Sequence, residues 1–281
     1  GHVVADNRLH HLGEVWPGGV GVLIRQSGTN RIVHNEIHHT AYTAIGVGWT
    51  WGYHDSPCRE NEIAGNHLHD IGQARLSDLG AIYTLGPQPG TRIHHNLIHD
   101  VASFTYGGWG IYTDEGSSGI VIENNLVYRT TGAAFHQHYG RDNQVRNNVF
   151  AFGRDFQIAR TGYERHHAFT LTQNLVYFAC DGLLGGDWRD DRFTLDRNLY
   201  WDARRAAGPD TLRFAGTTLE AWQARGHDQH SIVADPRFVA PESGDFRLRD
   251  DSPVRDIGFV PFDVRDAGIR PPWRDHPPAR P

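Results

Sequence analysis

The four residues Asn35-Glu36-Ile37-His38 recur along the chain as Asn66-His67-Leu68-His69 and as Asn96-Leu97-Ile98-His99. Related units, with an aliphatic or aromatic third residue, begin at five further asparagines: Asn7, Asn125, Asn148, Asn174 and Asn198. The gaps between successive asparagines are 28, 31, 30, 29, 23, 26 and 24 residues. Variable periods of this size are typical of parallel β-helix coils, in which loops change the length of a coil but not the number of coils. The sequence therefore predicts an all-β fold, a single-stranded right-handed parallel β-helix of about seven or eight coils.

The repeated asparagines are interpreted as structural. Asparagine tolerates the left-handed backbone conformation, and its amide can hydrogen-bond the equivalent amide one coil away. The fourth position of the repeat predicts an outward column of stacked side chains: His10, His38, His69, His99, Tyr128, Ala151, Tyr177 and Trp201. Because the later members are stacking groups rather than ligands, we expect stacking in this column and no metal site.

A second alternating register lies between the asparagines, at residues 44–48, 81–85, 110–114, 134–138 and 155–159. Alternate side chains of a strand lie on opposite faces. The inward positions are therefore predicted to be Ile45, Ile82, Ile111, Phe135 and Phe156. Two outward columns follow, the first with Gly46, Tyr83, Tyr112, His136 and Gln157, the second with Gly48, Leu85, Asp114, His138 and Ala159.

The composition excludes several classes of function. A net charge of −6 on 281 residues lacks the basic surface that a nucleic-acid-binding protein needs. No run approaches 18 apolar residues, so no membrane span is expected. All 27 basic residues are arginine, which excludes a Schiff-base lysine, a P-loop and a lysine general base. The two cysteines, Cys58 and Cys180, lie about five coils apart, too far for a disulfide.

The C-terminal part of the chain changes character. Residues 1–205 are predicted to form the coils, residues 217–225 a short helix with Thr218 as its N-cap, and residues 230–281 a final coil and a proline-rich strap over the open end of the sheets. All of this is predicted to be one domain, residues 1–281. Because the chain has no methionine and the repeat is already complete at Asn7, we expect an N-terminal part to be missing.

The segment 107–118, Gly-Gly-Trp-Gly-Ile-Tyr-Thr-Asp-Glu-Gly-Ser-Ser, carries the clearest chemical pattern. It places Asp114 and Glu115 beside Trp109 and Tyr112 among glycines, which let a ligand approach the backbone. The preceding coil supplies Asp78 just before the strand that stacks on this one. The alternative is that both aspartates only cap turns.

Aromatic residues near this segment are candidates for stacking on sugar rings: Trp49, Trp51, Tyr83, Trp109 and Tyr112. His136 and His138, together with Glu115, complete the set of predicted substrate-binding residues. Burial as ordinary core is the competing interpretation for the aromatic rings.

The strings at 80–84 (Gly-Ala-Ile-Tyr-Thr), 108–118 and 135–140 (Phe-His-Gln-His-Tyr-Gly) resemble bacterial right-handed parallel β-helix carbohydrate-active proteins. The chain looks most like the C-terminal portion of glycoside hydrolase family 141, whose members include an α-L-fucosidase and a xylanase. That family uses a pair of aspartates, and the counterparts by motif are Asp78 and Asp114. The resemblance implies a secreted or periplasmic enzyme.

The leading hypothesis is a glycoside hydrolase that acts on a plant or microbial polysaccharide or oligosaccharide, as a monomer and without a cofactor. Asp78 would act as the acid, and Asp114 as the nucleophile or as the base toward water. Two alternatives stay open: a polysaccharide lyase with Arg141 or Arg160 as its base, and a non-catalytic glycan-binding β-helix protein.

Overall fold

The computed structural model describes residues 1–204 and 212–271 of the chain. Three parallel sheets wind around a common core as a right-handed β-helix, and each coil adds one strand to sheet A, then one to sheet B and one to sheet C. This confirms the predicted fold class. Within the described residues, no helix is long and apolar enough to cross a membrane.

The strands of each sheet are hydrogen-bonded in chain order. Sheet A has strands Val3–Ala5, Arg31–Val33, Glu62–Ala64, Arg92–His94, Val121–Glu123, Asn143–Arg146, Phe169–Thr172 and Thr194–Asp196. Sheet B has strands Arg8–Leu12, Glu36–Thr40, His67–Ile71, Leu97–Val101, Leu126–Thr130, Val149–Gly153, Leu175–Phe178, Leu199–Asp202 and Ile232–Val233. Sheet C has strands Val22–Arg25, Ile45–Gly48, Gly80–Leu85, Trp109–Thr113, Phe135–Gln137, Ile158–Arg160 and Leu184–Gly186. Ser117–Ser118 and Gly140–Arg141 form a short additional parallel pair.

The repeated asparagines form a continuous hydrogen-bonded ladder between sheets A and B. The side-chain amide of Asn66 donates to Asn96 at 3.0 Å, that of Asn96 donates to Asn125 at 2.9 Å, and the same bond links the other members from Asn7 to Asn198. The predicted amide stacking is therefore confirmed. However, the left-handed residue is the one before the ladder asparagine, for example His95 (φ 54°) before Asn96.

Many strands of sheet B contain a second left-handed residue. It directly follows the outward side chain at the fourth position of the repeat, as Asp100 follows His99. His11, His39, Asp70 and Asp100 all have φ between 53° and 56°. The register skips Asp100, since His99 pairs with Tyr128 and Val101 with Thr130. This bulge leaves one residue of each such strand outside the ladder of pairs.

The core between the sheets is built from aliphatic rows. The predicted inward residues Ile45, Ile82, Ile111 and Phe135 are fully buried and pair in register along sheet C. The next member is Ile158, not Phe156 as predicted, because Phe135 pairs with Ile158. Phe156 instead lies 39% exposed before the strand.

Helix Leu219–Ala224 packs against the last coils, with Trp222 fully buried near Phe193 and Phe214. The oxygen of Thr218 accepts from the Ala221 amide at 3.2 Å, so the predicted N-cap is confirmed. Two short 3₁₀ helices, Pro241–Ser243 and Pro253–Ile257, follow.

The predicted final coil is wrong for residues 235–248. Only Ile232–Val233 joins sheet B, whereas Phe238–Ala240 and Asp245–Leu248 pair antiparallel as a hairpin. Phe238 and Phe246 pack on Tyr177 and Tyr128 of sheet B, at ring separations of 5.5 and 5.1 Å. The hairpin therefore covers the outer face of the later coils instead of extending the helix.

The proline-rich strap also lies elsewhere than predicted, as far as it is described; residues 272–281 of that prediction lie outside the described residues. Residues 258–270 run back along the turns between sheets A and B. Gln173 donates to the Gly258 carbonyl at 2.8 Å, Asn147 donates to the Val260 carbonyl at 2.7 Å, and the Gly268 amide donates to the Gly65 carbonyl at 2.8 Å. At the far end Arg270 forms an ion pair with Asp6 at 2.6 Å. The strap thus covers a side of the β-helix, not its open end.

Candidate functional site

The outer face of sheet C carries the first four members of each predicted column. The fifth members are wrong, because Ala159 and not Gln157 pairs with His136. Tyr83 pairs with Tyr112, and Tyr112 with His136, in adjacent strands. The rings of Tyr112 and His136 stack at 4.9 Å with an angle of 2°, and Trp109 packs 4.2 Å from Tyr112. The outward direction of Tyr112 and His136 confirms the predicted parity, since Tyr112 belongs to a cluster outside the main core and His136 stacks on it.

Asp114 stands directly after this column, at the end of strand Trp109–Thr113. Its carboxylate accepts a hydrogen bond from the Tyr83 hydroxyl at 2.6 Å and contacts Nδ1 of His138 at 2.9 Å. Only 6% of the residue is exposed. The predicted carboxylate–imidazole pair on the outward face is therefore confirmed.

The partners of Asp114 determine its charge state. Burial favours the neutral acid, but hydrogen bonds from His138, Tyr83 and Tyr112 outweigh it, so the pKa of Asp114 lies below its usual value. The same hydrogen bond to Asp114 raises the pKa of His138. The pair therefore favours a carboxylate and an imidazolium.

Asp78 lies in the loop before strand Gly80–Leu85, with its backbone in the left-handed region (φ 54°). Its amide donates to the Tyr106 carbonyl at 3.1 Å, and its carbonyl accepts from the Tyr42 hydroxyl at 2.9 Å. Burial raises the pKa of Asp78, and the negative charge of Asp114 raises it further. The loop thus places the Asp78 carboxyl group where the charge of Asp114 affects its pKa.

His136 is buried beneath this surface, with 3% of the residue exposed. Its Nε2 contacts the Thr161 hydroxyl at 2.9 Å, whereas Nδ1 has no hydrogen-bond partner among the described residues. Burial lowers the pKa of His136 to about 3, so the ring is neutral at pH 7. Its position under Trp109 fits a supporting role better than the direct sugar contact that the sequence predicted.

The candidate platform residues differ in accessibility. Tyr83, Trp109 and Tyr112 are between 4% and 9% exposed and pack in one hydrophobic cluster, which agrees with burial better than with direct stacking on a sugar. We call the face of sheet C that they line, together with Asp114, the groove. Trp49 is half-buried and packs 5.2 Å from Tyr83, and Trp51 is 56% exposed. Of these five, the two tryptophans of loop 49–57 are the rings that a ligand can reach most readily.

Loop 49–57 crosses over the turn that follows Asp114. The carbonyl of Gly52 lies against Gly116, which has φ 77°, and a side chain at this position would collide with that carbonyl. Glu115 bends into this turn, and its carboxylate accepts from the Tyr139 hydroxyl at 3.0 Å. Glu115, which the sequence analysis gave as a substrate-binding residue, is therefore held in the turn beside Asp114 by Tyr139.

A further cluster extends the groove and was missed from the sequence. The Tyr53 hydroxyl donates to the Glu164 carboxylate and lies 2.9 Å from Nε2 of His166. Its ring packs edge-on against Tyr139 at 6.1 Å, and the Arg141 guanidinium lies 5.4 Å from its centre. These residues sit in loops outside the repeat, so no periodic signal indicated them.

The fold and this groove define a β-helix protein with a ring-lined, carboxylate-bearing outer face. The chain belongs to the right-handed beta helix region family, whose model matches residues 1–184. Among curated proteins it is similar to the uncharacterized protein YwoF of Bacillus subtilis (strain 168), with 28% identity over 199 residues. The match covers 54% of this chain and 41% of that protein, so the chain spans less than half the length of this relative.

A solved structure described as a glycoside hydrolase is also similar. It has 18% sequence identity and a TM-score of 0.34, and the match covers 64% of this chain and 25% of that one. A likeness of this size carries no argument about activity.

Proposed function

We propose that the groove on sheet C is the active site of a glycoside hydrolase and that Asp114 and Asp78 are its carboxylate pair. The observation that carries the proposal is the buried Asp114 carboxylate, which the Tyr83 hydroxyl and His138 hold on a ring-lined face. The pKa of Asp114 is lowered and that of Asp78 is raised, which agrees with this pairing. Glycosidases need one carboxyl group that keeps its proton and one that is ionised. The resemblance to family 141 supports a fucosidase- or xylanase-like substrate.

The two pKa directions assign the roles. Asp78, whose pKa is raised, protonates the leaving oxygen, so that the alcohol departs without negative charge. Asp114, which stays ionised, attacks the anomeric carbon or takes a proton from the attacking water. His138 and Tyr83 hold the carboxylate in place through their hydrogen bonds.

The substrate is proposed to be a plant or microbial polysaccharide or oligosaccharide. Trp49 and Trp51 supply accessible apolar faces on which a pyranose ring can stack. Because such polymers do not enter cells, the enzyme is proposed to act as a secreted or periplasmic protein of a bacterium. It acts as a monomer and without a cofactor in this proposal.

The test is a screen of plant, algal and microbial polysaccharides and of aryl glycosides, followed by leaving-group analysis. We expect Asp78→Asn to retain much of its activity on aryl glycosides with acidic leaving groups and to lose it on natural linkages. Asp114→Asn should lose both, because its role does not depend on the leaving group. Asp142→Asn, at an exposed turn, is the matched control and should behave as the wild type.

The lyase alternative makes a different prediction. A lyase would release unsaturated uronates, and their ultraviolet absorbance would overturn the hydrolase proposal. Arg160 is a poor base for such a reaction, since its side chain is 1% exposed and bound to Asp190 at 3.0 Å. Carbohydrate binding by Asp114→Asn with no turnover by the wild type would instead indicate a binding protein.

The pair also predicts the pH profile. Activity requires ionised Asp114 and protonated Asp78, so kcat/KM should fall as the pH drops through the lowered pKa of Asp114 and again as it rises through the raised pKa of Asp78. In Asp78→Asn, measured with an acidic leaving group, the alkaline fall should disappear. An alkaline limb that persists there would assign it to another group.

A further inference from the structure

The outer face of sheet B carries a histidine ladder, defined by His10, His38, His69 and His99. Successive rings stack at 5.2, 4.8 and 5.3 Å. This confirms the stacking expected from the sequence. The structure adds a carboxylate, because Glu36 lies in the same strand as His38 and next to the strand of His69.

We propose that Glu36, His38 and His69 bind a divalent transition-metal ion of the zinc class. One ligand atom from each residue lies within 4.8 Å of the other two, the only such group in residues 1–204 and 212–271. Oε1 of Glu36 is 3.6 Å from Nε2 of His69. Ligands bonded at about 2.0–2.1 Å to a tetrahedral ion are about 3.3 Å apart. Small side-chain rotations therefore close the site.

The hydrogen bonds of His69 orient it as a ligand. Nδ1 of His69 lies 2.8 Å from the Asp70 carboxylate and donates to it. This leaves a lone pair on Nε2, which is buried and has no hydrogen-bond partner among the described residues. A carboxylate behind a histidine ligand is a common arrangement in metal sites, because it fixes the tautomer and the ring orientation.

Glu36 is held in a similar way. Its Oε2 accepts from Nε of Arg8 at 2.6 Å, while Oε1 faces His69. The ion would thus meet a carboxylate oxygen that is already positioned.

His67 lies beside the site, with its ring 4.4 Å from that of His69. Imidazole and carboxylate ligands favour Zn²⁺, Cu²⁺, Ni²⁺ and Co²⁺ over Ca²⁺ or Mg²⁺.

The test is titration of the tag-free chain, first treated with a chelator, with Zn²⁺ by calorimetry and with Co²⁺ by visible spectroscopy. We expect binding of one ion at the site, and Co²⁺ absorption typical of nitrogen and oxygen ligands. His69→Phe keeps the stacked ring but removes both nitrogens, so its affinity should fall at least tenfold. Glu36→Gln should show a similar loss.

The matched control is His94→Phe on sheet A. His94 lies 3.4 Å from Glu62, and thus repeats the histidine–glutamate pair without a third ligand. It should leave the affinity unchanged. Equal binding by wild type and His69→Phe, or no binding above that of an unrelated protein without a site, would overturn the proposal. Neither result bears on the groove of sheet C, because the readout is binding and not turnover.

Discussion

Two columns of stacked rings lie on neighbouring sheets, and they differ in burial and in the charged groups beside them. In the groove column, Tyr112 and His136 are buried beneath loops and end at the Asp114 carboxylate. In the histidine ladder, His38 and His69 are half-buried, and other imidazoles and Glu36 lie beside them. The stacked rings His136 and His38 both have lowered pKa values, whereas His138, which is not stacked but bonded to Asp114, has a raised pKa.

The difference lies in what each coil adds around the column. On sheet C, long loops bring Asp78, Trp49 and Tyr53 over the strand ends, and they enclose the carboxylate. On sheet B, the bulge residues Asp70 and His39 add polar groups, but in the described part of the chain they do not cover the rings as the loops of sheet C do. An unpaired polar group costs more free energy where loops exclude water than where water can bind it. Substitutions in the enclosed column should therefore have larger effects.

The largest expected effect is on activity, where substitutions beside the two columns should differ most. Asp114→Asn removes the charge that is proposed to do the chemistry, so kcat/KM should fall at least about 10³-fold, or about 4 kcal/mol. His38→Phe changes the ladder and should leave kcat/KM within about twofold. Steady-state kinetics on one good substrate checks both. Full activity of Asp114→Asn would contradict the proposal that only the column ending at Asp114 takes part in catalysis.

A substitution in the asparagine ladder should damage both columns together. Asn96 accepts from the amide of Asn66 at 3.0 Å and donates to the Ile63 carbonyl at 3.0 Å, all inside the protein. Asn96→Leu leaves these groups unpaired, and we expect a loss of about 2–4 kcal/mol in the free energy of unfolding.

Asn124→Gly is the control for this substitution. It removes an amide from the left-handed position before the ladder (φ 55°), where glycine adopts the same backbone. Chemical denaturation should show a loss below about 1 kcal/mol. Equal losses in both variants would mean that the buried ladder is not a special source of stability.

Histidines beside the two columns should respond to pH with opposite sign. The pKa of His67, which packs beside the histidine ladder, is lowered to about 4, so the unfolded chain binds this proton more readily, and stability should fall as the pH drops from 6.5 toward 4. The pKa of His138 is raised, so its contribution is complete below 6.5 and is lost as the pH rises through the raised pKa.

Denaturation midpoints of two variants measure these contributions. His67→Phe should flatten the acid slope, and His138→Phe should flatten the fall above pH 6.5. Slopes that stay parallel to the wild type in both variants would contradict the assigned pKa directions.

The smallest expected effect is on the free energy of unfolding, when one histidine of each column loses a hydrogen-bond partner. Thr161→Val leaves the buried His136 without its contact at Nε2 and should cost about 1–2 kcal/mol. Asp70→Asn alters the partner of His69 at a half-exposed site, where water can replace part of the lost contact, and should cost less than about 0.5 kcal/mol. The difference between the two free energies of unfolding is the quantity to measure.

The sequence predicted the parts of the fold that repeat. The asparagine ladder, the inward row and the partnership of Asp114 with His138 all follow from period and alternation. Phe156 was misplaced because residues 156 and 158 have the same parity, so a shift of two leaves the pattern unchanged. Only the pairing of Phe135 with Ile158 distinguishes them.

Of the parts that do not repeat, the helix capped by Thr218 was predicted, but most of the others could not be. Tyr53, Glu164 and His166 meet through loops whose paths depend on packing between coils. The hairpin at residues 238–248 alternates like a coil strand, and alternation does not specify whether pairing is parallel or antiparallel. The bulge after each outward ring also lacks a single residue type, since His39, Asp70 and Arg129 all occupy it.

The strap gives this repetitive molecule a property that a bare solenoid lacks. Stacked repeats interact only with their neighbours, so the ends of such arrays fray and individual repeats open separately. Residues 258–270 contact Gln173 at one end and Asp6 at the other, which ties distant coils to one segment. Fraying of the first coil then requires release of this tether, and the described coils should melt as one cooperative unit. Arg270→Ala should therefore broaden the thermal transition and speed hydrogen exchange at the first strands before it affects the middle of the molecule.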